Sequence, residues 1–566
     1  MGPIVEIQNL KYAYRRQRER PALGGIDLEI DRGEFVAIAG RAGSGKSTLC
    51  YCLNGLIPHS FGGHFEGEVR VCGIHTRAVS VPELARKVGF VLQNAESQLV
   101  GLSVEEDIAF GLENIALPSE EISRRVAAAL QRVRLADRAH QSPWSLSGGQ
   151  KQRLAIAAAI AFEAELLVLD NPTAELDPVG KLEVMRTIAQ LNAEHGITVV
   201  IVNQELEEVV PYASRLILMD AGKIVSSGSP AEVINESESL ERSGVKLPEV
   251  AEIALRLKAR GAWEGPLPLT VDAAAATLQP RLRSSTPASL STIKRSTARE
   301  ALIEVRNASF SYGSSPAVLR NVDLTIRRGE FVTLMGPNGT GKTTLAKHFN
   351  GLLKPTSGRV LVRNLDTRQA SVAELAKTVG YVFQNPDHQL FARTLHDELA
   401  FGPKNLKWST GRIERAVDGA LEHMGGSGRS AEDPFFMGLA ERKLVAIASV
   451  LAMEPELLVL DEPATGADHE SALRIMNYLA NLHRNGLTIA IVTHDVSLAA
   501  NFADRIVVLQ SGNIVLDGSP QEVFRRTSEL ESCLVVAPQG AQLAQKLQPP
   551  LDACRVSEVV EQLVRQ

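Results

Sequence analysis

Short apolar runs alternate with longer segments whose apolar positions recur at helical spacing, and the alternation persists along most of the chain. FVAIAG and FVTLMG each lead into a glycine-rich loop. LLVLD and TVVIV in the first half, and LLVLD and TIAIV in the second, are almost wholly apolar. A strand buried on both faces needs such a run. These segments therefore predict parallel strands covered by helices, an α/β fold with a mainly parallel sheet. The order of segments occurs twice. GRAGSGKST at residues 40–48 returns as GPNGTGKTT at 336–344, and LNGL at 53–56 as FNGL at 349–352. VGFVLQN at 88–94 returns as VGYVFQN at 379–385, and LLVLDNP at 166–172 as LLVLDEP at 457–463. The offset stays near about 290 residues, which describes a duplicated domain of about 230 residues.

The repeat divides the chain into a first domain over residues 1–236 with a helical extension over 237–279, and a second domain over 301–527 with an extension over 528–566. Between them, residues 280–300 are rich in Ser, Thr and Arg and poor in large apolar side chains, the composition of a flexible linker.

Composition narrows the function classes. With 44% hydrophobic and 22% charged residues the chain has the makeup of a globular protein. Its net charge of −6 argues against a nucleic-acid partner, which selects for a basic face. Cys50, Cys52, Cys72, Cys533 and Cys554 form no CxxC pair, so reduced thiols are expected rather than a disulfide or metal framework. The opening MGPIVEIQNL has no signal-peptide run, and no stretch of about 18 uninterrupted apolar residues is present, so any service to a membrane is expected from its surface.

Both glycine loops match Gly-x-x-x-x-Gly-Lys-Ser/Thr, and each follows a strand and opens a helix. Glycines there let backbone amides approach phosphate, and the helix N-terminus favours its charge. The predicted ATP-binding groups are Gly40, Gly43, Gly45, Lys46, Ser47 and Thr48 in the first half, and Gly336, Asn338, Gly339, Gly341, Lys342, Thr343 and Thr344 in the second. Lys46 and Lys342 would reach the β- and γ-phosphates. Ser47 and Thr343, with the strand-end aspartates Asp170 and Asp461, would hold Mg²⁺ directly or through water.

PWSLSGGQKQR at residues 143–153 contains LSGGQ, which resembles the signature of ABC ATPases. The resemblance covers nearly the whole chain, twice. It implies two tandem P-loop NTPase domains of ABC type, each with a helical subdomain, paired head to tail within the chain. Each ATP would lie between the P-loop of one domain and the signature of the other. By motif, Tyr14 and Tyr312 match the aromatic that stacks on adenine (a strand-edge aromatic is the alternative). Gln93 and Gln384 match the Q-loop glutamine, Asp177 and Asp468 the D-loop aspartate. Ser147, Gly148, Gly149 and Gln150 form the signature. VFQNPDHQLFARTLHDELAFGPKNL at 382–406 further resembles the Q-loop stretch of energy-coupling-factor importers, which take up vitamins, their precursors, or cobalt and nickel ions. That likeness implies a peripheral subunit on the cytoplasmic face of the cell membrane. Its partners would be an integral membrane coupling protein and a substrate-binding membrane subunit on separate chains. The alternative from another class is a soluble tandem ABC ATPase acting in translation, although the linker here is not the charged helical hairpin of such proteins. His59, His64 and His75 lie near the first P-loop without the pattern of a metal site.

The two halves differ where the resemblance puts the chemistry. Glu462 follows Asp461, in the place of the group that polarises the attacking water; Asn171 follows Asp170. An amide cannot accept a proton at neutral pH. His494 in IVTHD matches the switch histidine, and Gln204 in IVNQE replaces it. Opposite LSGGQ the second half has MGLAE at 437–441, with Gly438 for the serine and Leu439 and Ala440 for the glycines. The expected catalytic set is Glu462, His494, Lys342 and Gln384, facing the first half's signature. The first P-loop, Asn171, Gln204 and residues 437–441 would form a degenerate site.

Overall fold

The computed structural model describes all residues except 1, 16–19, 175, 237–239, 241–242, 283–298 and 566. The chain divides into two units, Met1–Ala274 and Ala275–Gln566.

In the first unit, β1 (Val5–Tyr14), β2 (Leu23–Ile30), β4 (Gly63–Val71) and β5 (Ile74–His75) form an antiparallel sheet in the order β2-β1-β4-β5. The second sheet holds β3 (Phe35–Ala39), β6 (Val88–Val91), β7 (Leu166–Asp170), β8 (Thr198–Val202), β9 (Arg215–Asp220) and β10 (Lys223–Gly228), in the order β10-β9-β3-β8-β7-β6. All its pairings are parallel except β10 with β9. Every residue of β3, β7 and β8 is buried, as their continuous apolar runs require.

This order positions the site. β8 lies between β3 and β7, so the loops leaving the carboxyl ends of all three emerge side by side. Strands about 4.8 Å apart put the first and third of these loops about 10 Å from each other. The glycine loop follows β3, the position of Asn171 follows β7, and Gln204 follows β8. Such a carboxyl edge is where open α/β sheets bind ligands.

The second unit repeats the plan. β11 (Ala301–Phe310), β12 (Leu319–Arg327), β14 (Ser357–Val362) and β15 (Leu365–Asp366) form the small sheet. β13 (Phe331–Met335), β16 (Val379–Val382), β17 (Leu457–Asp461), β18 (Thr488–Val492), β19 (Arg505–Gln510) and β20 (Asn513–Gly518) form the large one, in the order β16-β17-β18-β13-β19-β20. Glu462 and His494 thus leave neighbouring strands.

Beyond each sheet lies a helical region, Val104–Asn114, Ser119–Arg132 and Gly148–Ile160 in the first unit, and Leu395–Asn405, Thr410–His423 and Leu439–Leu451 in the second. The C-terminal extensions contain the helices Glu249–Lys258 and Val271–Leu282, then Gln539–Lys546 and Val556–Arg565. In the first unit Lys246 pairs by backbone with Glu205, beside Gln204. In the second, the Arg555 guanidinium donates to the carbonyls of Ala500 and Ala503, at the end of the helix Val496–Phe502 that follows His494. The segment read as a linker differs at both edges. Helix Val271–Leu282 runs through Pro280, and Arg299 donates to the Gly329 carbonyl at 2.6 Å. Residues 283–298, the rest of that segment, lie outside the described residues, as do 237–239 and 241–242 of the first extension.

Candidate nucleotide sites

Each glycine loop ends in a helix, Lys46–Leu53 or Lys342–Phe349, whose N-cap glycine makes no side-chain cap hydrogen bond. A helix start with no capping side chain suits phosphate. Close approach explains one glycine pair directly. A Cβ on Gly40 would lie 2.1 Å from the Met219 carbonyl oxygen, and one on Gly336 2.2 Å from that of Leu509. Each loop must run tight against its neighbouring strand β9 or β19 to curl back. The lysines lie inside the curl. Lys46 Nζ donates to the carbonyls of Gly40 and Arg41 at 2.7 and 2.6 Å, and Lys342 Nζ to those of Gly336 and Pro337 at 2.7 and 2.8 Å.

Tyr14 and Tyr312 are placed alike. The Tyr14 hydroxyl is 3.1 Å from Thr48 Oγ1, and that of Tyr312 is 3.2 Å from Thr344 Oγ1. Tyr312 is 47% exposed. Both rings are thus tethered to the helix that the P-loop opens.

The strand-end acids differ in their partners. Thr343 Oγ1 donates to Asp461 Oδ1 at 2.9 Å, and the Tyr381 hydroxyl to Oδ2 at 3.3 Å. In the first half Phe90 stands where the second has Tyr381, and Asp170 Oδ1 is buried without a hydrogen-bond partner. Burial raises both carboxyls above the usual aspartate range, against the pull of Ser47 on Asp170 and of Thr343 on Asp461. A buried carboxylate with an unpartnered oxygen beside a serine hydroxyl fits a hard cation such as Mg²⁺.

The turn after β17 carries the largest contrast. Glu462 Oε1 is 2.8 Å from His494 Nδ1, and Oε2 accepts from Thr465 Oγ1 at 2.9 Å. Burial alone would raise the Glu462 carboxyl. The contacts from His494 and Thr465, with the charge of Lys342, bring it below the usual range, so it stays ionised. At the matching first-half positions stand Asn171, Gln204 and Ala174, which offer no carboxylate, no imidazole and no hydroxyl.

The signatures also diverge. Ser147 caps the helix Gly148–Ile160: its hydroxyl accepts from the Gln150 amide, and the Gln150 side chain accepts from the Ser147 amide at 2.9 Å. Gly438 caps Leu439–Leu451 without a side-chain bond. Glu441, in the place of Gln150, is turned to Arg429 at 3.1 Å. A carboxylate in that first turn opposes phosphate, where the first half has no acidic group. Gly149 has a packing role besides: a Cβ there would lie 2.9 Å from Gly180 Cα. We expect Gly149→Ala to cost about 1–3 kcal/mol, read as a lowered midpoint of thermal unfolding in the full-length chain.

Gln93 and Gln384 are exposed, and among the described residues neither side chain forms a hydrogen bond. Asp177 and Asp468 serve as N-caps, accepting from the amides of Gly180 and Ser471 at 2.8 Å each. Motif reading missed Tyr381 and Thr465. A position-by-position comparison of the halves exposes both, as Phe90 against Tyr381 and Ala174 against Thr465.

The family model described as ABC transporter matches residues 23–174 and 319–465. A protein of Caldanaerobacter subterraneus subsp. tengcongensis named as an ABC transporter ATP-binding protein is 38% identical over 552 residues, covering 96% of each chain. Another so named, from Methanosarcina mazei, is 38% identical over 550 residues, covering 96% of this chain and 93% of that one. Among solved structures, cbiO1 of Clostridium perfringens, described as part of the ABC transporter complex cbiONQ, is 33% identical with a TM-score of 0.39, covering 43% of this chain and 99% of that one. Two family matches in one polypeptide, each enclosing a P-loop and its acidic strand end, place the chain in the ABC transporter ATP-binding family, as an ATPase with two tandem ABC domains.

Proposed function

We propose that this ATPase energises an importer of the energy-coupling-factor type and that only one of its two nucleotide sites turns over. The observation that carries the asymmetry is the Glu462–His494–Thr465 cluster, against Asn171, Gln204 and Ala174 in the first half. In the head-to-tail pairing that the family resemblance implies, the second half's P-loop works with Ser147, Gly148, Gly149 and Gln150. The first half's P-loop works with residues 437–441 and holds ATP with little turnover.

At the active site Lys342 leaves the carbonyls of its own loop for the β- and γ-phosphates. Glu462, ionised, orients the attacking water and accepts its proton. His494 fixes the Glu462 carboxylate and donates to the γ-phosphoryl as charge develops. Thr343 and Asp461, and in the other half Ser47 and Asp170, would hold Mg²⁺, which when bound neutralises charge on the phosphates. Gln384 and Gln93, exposed at the ends of β16 and β6, are assigned to sensing nucleotide and to the membrane partner. Tyr312 and Tyr14 are assigned to the adenine.

The membrane partner is supported by an apolar cleft of about 320 Å³ in the second unit, lined by Tyr381, Phe383, Phe391, Phe401 and Met453 among others. Phe391 and Phe401 meet edge to face at 4.6 Å, yet are 54% and 48% exposed. No helix among the described residues is long and apolar enough to cross a membrane. The resemblance of residues 382–406 supports the importer class and a place on the cytoplasmic face. Two measurements test these readings. Detergent extraction should copurify a coupling protein and a small substrate-binding membrane protein, and Phe401→Asp should lose both while ATP binding persists; copurified ribosomes would favour the translation role instead. In a single-turnover experiment one of two bound ATP molecules should become ADP, and rapid conversion of both would overturn the asymmetry.

A further inference from the structure

Lys443 lies in the fifth position of the helix Leu439–Leu451, 5% exposed, and motif reading gives it no role. Its Nζ donates to the backbone carbonyl of Glu462 at 3.0 Å. Glu462 sits at φ 49°, a left-handed conformation that a non-glycine residue holds only when its surroundings fix it. Asn171 has the same φ of 49° in the first half, and asparagine tolerates that region far better. The matching first-half residue to Lys443 is Gln152, whose Nε2 is buried without a hydrogen-bond partner. The first half therefore lacks both the base and the group behind it.

We propose that Lys443 is a positioning residue for hydrolysis: through its bond to the Glu462 carbonyl it holds the turn that aims the Glu462 carboxylate at the attacking water, an assignment that rests on Glu462 being the water-activating group. A buried ammonium is costly unless charge and hydrogen bonds compensate it. Burial does lower the Lys443 ammonium, to about 8, while Glu462 and Asp461 pull the other way. A neutral side chain would pack there at less cost, so the charge points to a requirement at the turn.

The test uses the full-length chain and the variants Lys443→Gln and Lys443→Met. Both should lower kcat at least about 10-fold with KM for ATP and binding of a non-hydrolysable ATP analogue within about twofold of wild type. Added to Glu462→Gln, Lys443→Gln should cost less than about twofold more, because the two act as a unit. Gln152→Met, the mirror change, should leave turnover within about twofold. Full activity of Lys443→Gln beside an inactive Glu462→Gln would overturn the positioning role alone. Analogue binding that falls in parallel with kcat, or a Gln152→Met loss as large, would overturn it in favour of a structural role. An active Glu462→Gln would remove the catalytic reading itself, and the role of Lys443 with it.

Discussion

Glu462→Gln should abolish multiple-turnover ATP hydrolysis while leaving ATP bound. The carboxylate is buried, kept ionised by His494 and Thr465, and placed beside the acid that Thr343 contacts. Glutamine preserves size and can still take a hydrogen bond from Thr465, but it cannot accept a proton. Loss of a general base costs about 10²–10⁴-fold in kcat. Asn171→Gln, one residue past the acid in the other half, should change turnover less than about threefold, because no base is lost there. The pair of rates separates the models cleanly. Substantial residual activity in the Glu462 variant would mean that the first half hydrolyses ATP without a carboxylate at this position.

Lys342→Met should be nearly as severe, for a different reason. The ammonium is held by two carbonyls of its own loop, poised to exchange them for phosphate oxygens. Each hydrogen bond to a charged group contributes about 1.5–3 kcal/mol, so losing two weakens nucleotide binding and turnover by about 10²–10⁴-fold. Lys46→Met removes the same contacts from the other cradle. It should reduce bound ATP from two per chain to one, with a smaller loss of turnover than Lys342→Met. Equilibrium binding stoichiometry with a fluorescent ATP analogue, beside steady-state rates, reads both effects. Equal loss of turnover in the two variants would show that the cradles contribute equally.

Much of this was legible in the chain itself, for physical reasons. A strand buried on both faces must be apolar throughout, and a loop that wraps phosphate must carry glycine and lysine at fixed spacing. The sheet core and the cradles therefore announced themselves. The turn after β17 did not. Lys443 lies some twenty residues before Glu462 and meets it only because a helix of the helical region packs behind that strand end. Tyr381 reaches Asp461 from the next strand, and its role depends on parallel pairing that no local pattern encodes. The apparent linker misled at both edges because composition reports what a segment cannot bury, while Pro280 continues a helix that begins before that window and Arg299 donates to Gly329 beyond it.

The shared left-handed turn carries a consequence for substitution. With asparagine at that φ, the first half avoids a strain that Glu462 bears. Installing a carboxylate there is costly. Glutamate at position 171 would meet the strained backbone without a lysine behind it, a hydroxyl at position 174 or an imidazole at position 204, and would reduce stability before it restored any chemistry. The difference between the halves is therefore guarded by more than one position: a single exchange at 171 supplies a carboxylate but none of the contacts that hold Glu462 in place.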